Sequence, residues 1–437
     1  MNSVMSQTVK SYIAQHNMLR EKARVVVGLS GGADSVALLL VMRDLGYTVY
    51  AVHCNFHLRG DESKRDERFV TELCQRLNVP LDVKHFDTRM YARLHHISIE
   101  MAARDLRYKY FEKVRAELEY KAIAVAHHKD DQAETLLLNI IRGTGIRGLT
   151  GMHPANGRII RPLLCVTRKE ILRYLEDKHQ EYITDSTNKE RDALRNRVRL
   201  DLIPMLKEDF NPQIVDMLGR LCENMQESIV AYKYGVEKQF QEYDVHEHRL
   251  RLNVKPKDPN LPVILHEWLQ GKGFTRSQEK QMLTSKGESG RHWTSGTHVV
   301  FCDKSTLTLL PIDFAPEPPR LKQETVEKIE DTSPNVAYFD ADELTYPLTI
   351  RLVQPGDKML PFGEHASREI RAILKKTPLS QVARKYAWVV CHGSEIIWLV
   401  GVRATNHYRV SYKTKNIIKL SVSDPGFLPD GLKTYVD

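Results

Sequence analysis

From Arg24 to about Pro204, short β-branched runs alternate with apolar residues at helical spacing, and that alternation predicts a parallel sheet covered by helices. Val25–Leu29, Val49–His53 and Ala122–Ala126 are the predicted strands, with helical patterns at Ser35–Leu45 and Arg65–Leu77 between them. After Pro204 the character changes. Ile214, Met217, Leu218, Leu221, Met225 and Ile229 recur every three to four residues, the mark of one long amphipathic helix. Pro311–Pro319 reads as a linker, and strand-like runs follow at Leu348–Val353, Trp388–Cys391 and Ile396–Val400. The expected fold class is α/β. It comprises a doubly wound, mainly parallel sheet domain over residues 1–205, a helical middle domain over 206–318 and a small strand-rich α+β domain over 335–437.

The length of 437 residues agrees with several cores rather than one. With 64 Lys and Arg against 56 Asp and Glu, the formal charge is +8, which favours an anionic partner without choosing it. The six cysteines are scattered, with no C-x-x-C pair and no zinc-like spacing to histidine, so reduced thiols in a cytoplasmic protein are expected. Met1–Lys22 has no apolar core of the kind a secretory signal needs, and no stretch is long enough to span a bilayer. No membrane partner is expected. The longest strongly apolar run, Val36–Met42, is the size of a core helix segment.

The chemistry concentrates where the first strand ends. Arg24-Val-Val-Val-Gly-Leu-Ser30-Gly31-Gly32-Ala33-Asp34-Ser35 is a hydrophobic strand entering two glycines and then an apolar helix. Glycines let such a loop turn tightly with its N–H groups aimed at an anion, and the helix N-terminus adds a favourable dipole. The spacing and lysine of a Walker loop are both missing. A carboxylate beside phosphates repels them unless a hard cation intervenes, which makes Asp34 a candidate Mg²⁺ ligand. An ordinary strand-to-helix turn capped by Asp34 or Ser35 would produce the same pattern.

S-G-G-x-D-S in this position resembles the pyrophosphate loop of the N-type ATP pyrophosphatases, which activate substrates by adenylation. More of the domain follows the same pattern: His53-Cys-Asn55-Phe-His57-Leu-Arg59, then Glu100, Ala103, Arg104, Arg107, Tyr108 and Phe111 at helical spacing, then Ala126-His-His-Lys-Asp130-Asp131-Gln-Ala-Glu134-Thr135. Arg142-Gly-Thr-Gly, Gly148-Leu-Thr-Gly-Met152, Arg161-Pro-Leu-Leu164, Asp185-Ser-Thr-Asn188 and Arg195-Asn-Arg-Val-Arg199 complete it. The ordered set resembles the tRNA(Ile)-lysidine synthetase family across the whole first domain. The resemblance implies that ATP adenylates the C2 oxygen of the wobble cytidine in a tRNA(Ile) with a CAU anticodon. Free L-lysine then displaces AMP, and the codon read changes from AUG to AUA.

By the same resemblance, Ser30, Gly31, Gly32, Ala33, Asp34, Ser35 and His53 would contact ATP, Asp34 would hold Mg²⁺, and Asp34, Arg104, Asp131 and Glu134 would serve catalysis. Asp130, Asp131 and Glu134 could hold an ammonium group or share Mg²⁺, since carboxylates suit both; helix capping and a solvated face are the competing uses. Arg104 suits charge on the α-phosphate, unless it only pairs with Glu100 one turn earlier. Phe56 stands where the family has a second histidine, so no catalytic role passes to His57.

Arg191, Arg195, Arg197 and Arg199 suit tRNA phosphates, as do Lys375 and Lys376 within a basic stretch that resembles the family's C-terminal domain. The long middle helix could dock within the chain or pair with a second copy, leaving a homodimer open. Another pyrophosphate-loop enzyme and a non-catalytic RNA-binding module are the rival readings. Against them stand unpaired cysteines, unsuited to a thiolase, and an intact loop.

Overall fold

The computed structural model describes residues 3–184, 194–243, 245–251, 258–285, 290–303, 306–344 and 347–423. The Asp185–Asn188 motif and Arg191 lie outside the described residues. The chain forms two compact units, Met1–Tyr232 and Lys233–Asp437.

In the first unit, α1 (Val4–Gln15) precedes β1 (Arg24–Gly28), α2 (Ala33–Asp44), β2 (Thr48–Asn55), α3 (Asp61–Leu77), β3 (Leu81–His85) and a helical hairpin of α4 (Thr88–His95) and α5 (Ile99–Glu117). Then come β4 (Ala122–Ala124), α6 (Lys129–Ile141), α7 (Ile146–Leu149), β5 (Ala155–Asn156), β6 (Ile159–Ile160) and α8 (Arg168–Asp177). The sheet runs β3-β2-β1-β4-β6-β5, parallel except for the short β5–β6 pair. Val25, Val26 and Val27 are buried on both faces, as a central parallel strand requires. The Val36–Met42 run is buried all round within α2, which explains why it lacks a polar stripe.

Beyond the undescribed stretch, α9 (Leu194–Arg197) continues through π-helical turns at Val198–Leu202 into α10 (Ile203–Met205). Pro204 has no N–H to close a normal α-helical bond here, and Ile203 donates instead to the Val198 carbonyl, five residues back. The expected long helix is α11 (Ile214–Glu242). Its Val215, Leu218 and Cys222 pack with Ala133 and Leu136 of α6 and with Val198 and Ile203, whereas Leu221, read as part of the same stripe, is exposed.

The second unit holds β7 (Arg249–Arg251), α12 (Leu261–Leu269), α13 (Arg276–Thr284), β8 (Arg291–Thr294), β9 (His298–Asp303) and β10 (Thr306–Pro311). The strands form an antiparallel sheet of order β7-β10-β9-β8. The stretch read as helical therefore also contains a sheet, because apolar runs as short as Val299–Cys302 and Leu307–Leu310 have no period that separates strand from helix. After the proline-rich linker come β11 (Arg320–Val326), β12 (Val336–Asp340), β13 (Leu348–Leu352), β14 (Lys358–Met359), β15 (Arg368–Glu369), α14 (Ile370–Lys375), α15 (Gln381–Lys385), β16 (Trp388–His392), β17 (Glu395–Leu399), β18 (Arg403–Ala404) and β19 (Ile417–Ser423). These give antiparallel sheets of order β11-β19-β12 and β13-β16-β17-β18, with Trp388 and Trp398 buried in the core they share.

One contact fixes how closely α5 approaches the central strand. A Cβ added to Gly28 at the end of β1 would stand 2.7 Å from the Phe111 ring. Gly28→Ala should therefore force the ring or α5 to shift and cost about 1–3 kcal/mol, read as a lower urea midpoint at unchanged slope.

Candidate active site at the switch point of the sheet

Strand order reverses between β1 and β4, so the loops that leave these neighbours diverge and open a crevice at their carboxyl ends. A cavity of about 650 Å³ lies there, lined among others by Ser30, Gly32, Asp34, His53, Arg107, Tyr108 and His127.

The loop after β1 is held by one hydroxyl. Ser35 Oγ accepts the Ser30 and Gly31 N–H groups at 3.1 and 3.2 Å and donates to the Gly32 carbonyl at 3.0 Å. Ser35 is thus enclosed by the turn. Gly31 has φ +93°, and a Cβ there would meet Ile183 at 3.0 Å and Val70 at 3.2 Å, so glycine is required on both counts. Gly32 caps α2 with no side-chain bond to its first turn, which leaves that N-terminus free for an anion.

His53 places Nδ1 2.9 Å from the Leu29 carbonyl; the proton therefore sits on Nδ1, and the buried Nε2 is an acceptor with no partner among the described residues. Burial pushes its pKa down and keeps the ring neutral. His127, with Nδ1 likewise unpartnered, is pushed down to about 4, first by burial, with Arg161, Arg195 and Arg104 adding to it against the pull of Asp131.

The acids gather beside this cavity. The imidazole of His128 has carboxylate oxygens of Asp34, Asp130 and Asp131 at 3.7, 3.7 and 3.4 Å. His128 and Asp131 form a reciprocal cap that starts α6. Both carboxylate oxygens of Asp34 are paired with the Arg168 guanidinium. Asp130 accepts the Arg168 N–H at 2.8 Å and has Lys207 Nζ at 3.7 Å.

Asp131 and Glu134 are met by two arginines. Arg195 Nη2 lies 3.3 Å from Asp131 and its Nε 2.8 Å from Glu134; Arg199 Nη2 lies 3.0 Å from Asp131 and 3.1 Å from Glu134, with Nε on the second Glu134 oxygen. Burial works against ionisation of Asp131, yet His128, its backbone N–H and Arg195 outweigh that and hold the carboxyl below its usual range. Arg195 and Arg199, read from the sequence as phosphate contacts, are instead turned onto these acids. Glu134 is 1% exposed, and an ionised carboxylate so buried needs a cation.

Arg104 does not line the cavity. Its guanidinium lies 5.0 Å above the Tyr108 ring, and among the described residues it makes no ion pair, with Glu100 or any other acid. Arg107, one turn later, does line it, stacked 5.3 Å over Phe56. Phe56 also stacks on Phe86, while His57, at φ +51°, turns away to stack on His85 with their ring nitrogens 3.0 Å apart. Lys375 and Lys376 are exposed in the second unit with no ion pair among the described residues. Sequence reading missed Arg168. The signal was the T-x-x-E box Thr167–Glu170, which starts α8 and sets Arg168 in its first turn.

The fold and site define a protein of the PP-loop class, which uses ATP. The family model for the PP-loop domain matches residues 1–206, and that for the TilS substrate binding domain matches residues 245–312. The chain is 40% identical over 433 residues to the tRNA(Ile)-lysidine synthase of Parabacteroides distasonis, covering 95% of this chain and 99% of that protein. The synthases of Bacteroides thetaiotaomicron and Porphyromonas gingivalis (strain W83) are 40% and 36% identical, covering 95% and 93% of this chain and 99% and 96% of theirs. The chain belongs to the tRNA(Ile)-lysidine synthase family. Among the described residues no helix is long and apolar enough to cross a membrane.

Two outcomes follow from the buried charges. Glu134→Gln leaves two guanidiniums facing one remaining acid; since each keeps a third or more of its side chain exposed, the loss of stability should be about 1–3 kcal/mol, seen in urea unfolding at pH 7. For His127 the folded pKa lies below the unfolded one, so its contribution is complete above about 6.5 and is lost as pH falls toward about 4. His127→Gln should flatten the fall in urea midpoint between pH 6.5 and 4.5; an unchanged slope would contradict this assignment.

Proposed function

We propose that the protein joins free L-lysine to C2 of the wobble cytidine in a tRNA(Ile) with a CAU anticodon, consuming ATP and releasing AMP and pyrophosphate. The observation that carries this reading is the Ser35-braced loop beside an acid cluster, in a chain that aligns with lysidine synthases over nearly its whole length. In the first step the C2 oxygen attacks the α-phosphorus and pyrophosphate leaves. In the second the lysine ε-nitrogen attacks C2, and the oxygen departs on AMP. A pyrimidine carbonyl oxygen leaves poorly until it carries a phosphate, and the base must be unstacked to be reached.

The residues divide these tasks by position. The uncapped start of α2, set in place by the Ser35-braced loop, receives the phosphates. Asp34, at the cavity wall, would hold Mg²⁺ together with phosphate oxygens; one carboxylate plus substrate phosphates is a usual set for this ion, and its charge would offset that of the pyrophosphate. Arg168, now paired with Asp34, then becomes available to the nucleotide. Asp130, whose cationic partner is the most distant of the three acids', is the carboxylate best placed to accept the lysine ammonium. Asp131 and Glu134 act through Arg195 and Arg199 to shape that wall. We assign catalysis to residues 1–205, and tRNA holding to 206–318 and 335–437, where Lys375 and Lys376 offer unpaired charge. Scattered cysteines with no C-x-x-C pair suit a cytoplasmic setting.

Incubation with ATP, labelled lysine and bulk tRNA should transfer label that survives mild alkali, since a carbon–nitrogen bond resists conditions that release an ester. Absence of ATP-dependent label would count against the reading. Asp34→Ala should lower AMP formation at least a hundredfold while tRNA binding, followed by filter retention, persists.

A further inference from the structure

The helical hairpin of α4 and α5 carries a surface that the reaction described above does not use. Met90, Leu94 and Met101 are 66, 71 and 58% exposed, and Ile99 is exposed with them. Apolar surface gathered in this way marks a binding face. Beside it runs a groove of about 540 Å³ lined by Tyr91, Ile97, Met101, Arg104 and Tyr108. Its aromatic faces are already dressed with cations: Lys109 lies 5.4 Å from the Tyr91 ring centre and Arg104 5.0 Å from that of Tyr108. The helix α4 contains no acid, and among the described residues neither Arg89 nor Arg93 makes an ion pair. Asp105 is held by Lys109 at 2.9 Å and by the Tyr91 hydroxyl. Tyr108 lines both this groove and the nucleotide cavity, so the two adjoin.

Exposed thioether and aliphatic groups, ring faces and unpaired guanidiniums are the combination that takes up unstacked bases and their phosphates. Drawing one cytidine out of a loop strips its neighbours of stacking partners, and a surface next to the reacting centre that replaces them lowers the cost of extrusion. A second copy of the chain is a poorer occupant, because a two-fold contact would gather Arg89 and Arg93 of both copies in one interface with no acid from α4 to offset them. Resting on the proposed function, we propose that the α4–α5 hairpin seats the single-stranded anticodon loop. Bases flanking the reacting cytidine lie against Met101 and the Arg104 guanidinium that covers Tyr108, and Arg89 and Arg93 hold loop phosphates.

The test places a photoreactive benzophenone amino acid at Met90 or Leu94 of the full chain, positions exposed enough to accept it. The variant is irradiated with the CAU-anticodon tRNA(Ile), the attachment mapped by primer extension, and lysidine formation assayed on the same sample. Attachment within the anticodon loop supports the proposal. Attachment confined to other parts of the tRNA, attachment to a second copy of the chain, or none at all from a variant that still forms lysidine overturns it while the function stands. If the unmodified protein forms no lysidine, both readings fall together. Independently, Arg89→Gln with Arg93→Gln should lower the slope of log affinity against log salt by about 1.4 and weaken tRNA binding about tenfold, with the KM for ATP unchanged; an unaltered salt slope would count against the phosphate contacts.

Discussion

Glu134 is almost wholly enclosed and its neighbour Asp131 nearly so, and two carboxylates so far from water need partners within the protein. Burying an uncompensated carboxylate costs several kcal/mol, and the chain meets that demand by returning Arg195 and Arg199 to the start of α6. Much of the architecture follows from this. Both guanidiniums reach the same pair of acids because α9 and the π-helical turns around Arg199 pack against α6. The apolar residues just beyond, Val198 and Ile203, then close on α6 together with α11. A charge requirement and a hydrophobic one thus converge on the same helix. A packed, charge-paired flank beside the crevice is the result.

The opposite wall is built from backbone. Ser35 gathers the amides of Ser30 and Gly31 around a single oxygen, while Gly32 leaves the first turn of α2 uncapped. These features require small residues and a hydroxyl at fixed spacing, and little else from the rest of the chain. Between the two walls lies the imidazole of His128, within 4 Å of three carboxylates. Arg168 links the walls, with its side chain on Asp34 and its backbone N–H on Asp130.

The same cavity edge changes character toward α5. Phe111 packs on Gly28, Tyr108 meets Phe111 edge-on at 6.3 Å, and Arg104 covers the other side of the Tyr108 system. Apolar contact with the central strand thus grades, within two turns of one helix, into a cationic and aromatic surface. The cavity at the switch point and the hairpin groove share a rim at Tyr108 in this way.

The sequence by itself determined what depends on local chemistry. A β-branched run, two glycines and an apolar helix in that order specify a tight strand-to-helix turn. Val25–Val27 and Val36–Met42 read as strand and core helix from their local pattern and flanking glycines, and the acids of Asp130–Glu134 read as the start of a helix after a strand. Tertiary structure decided everything that turns on which distant charge meets which. Arg195 and Arg199 look alike in sequence whether they face phosphate or carboxylate, and Arg168 was indistinguishable from a solvated arginine until its helix was seen to start opposite Asp34. The sheet of β7 to β10 was hidden for a related reason, since short apolar strands have no period of their own and are specified by their partners. Ion pairs and strand pairs act between residues far apart in the chain, and local pattern holds no record of that distance.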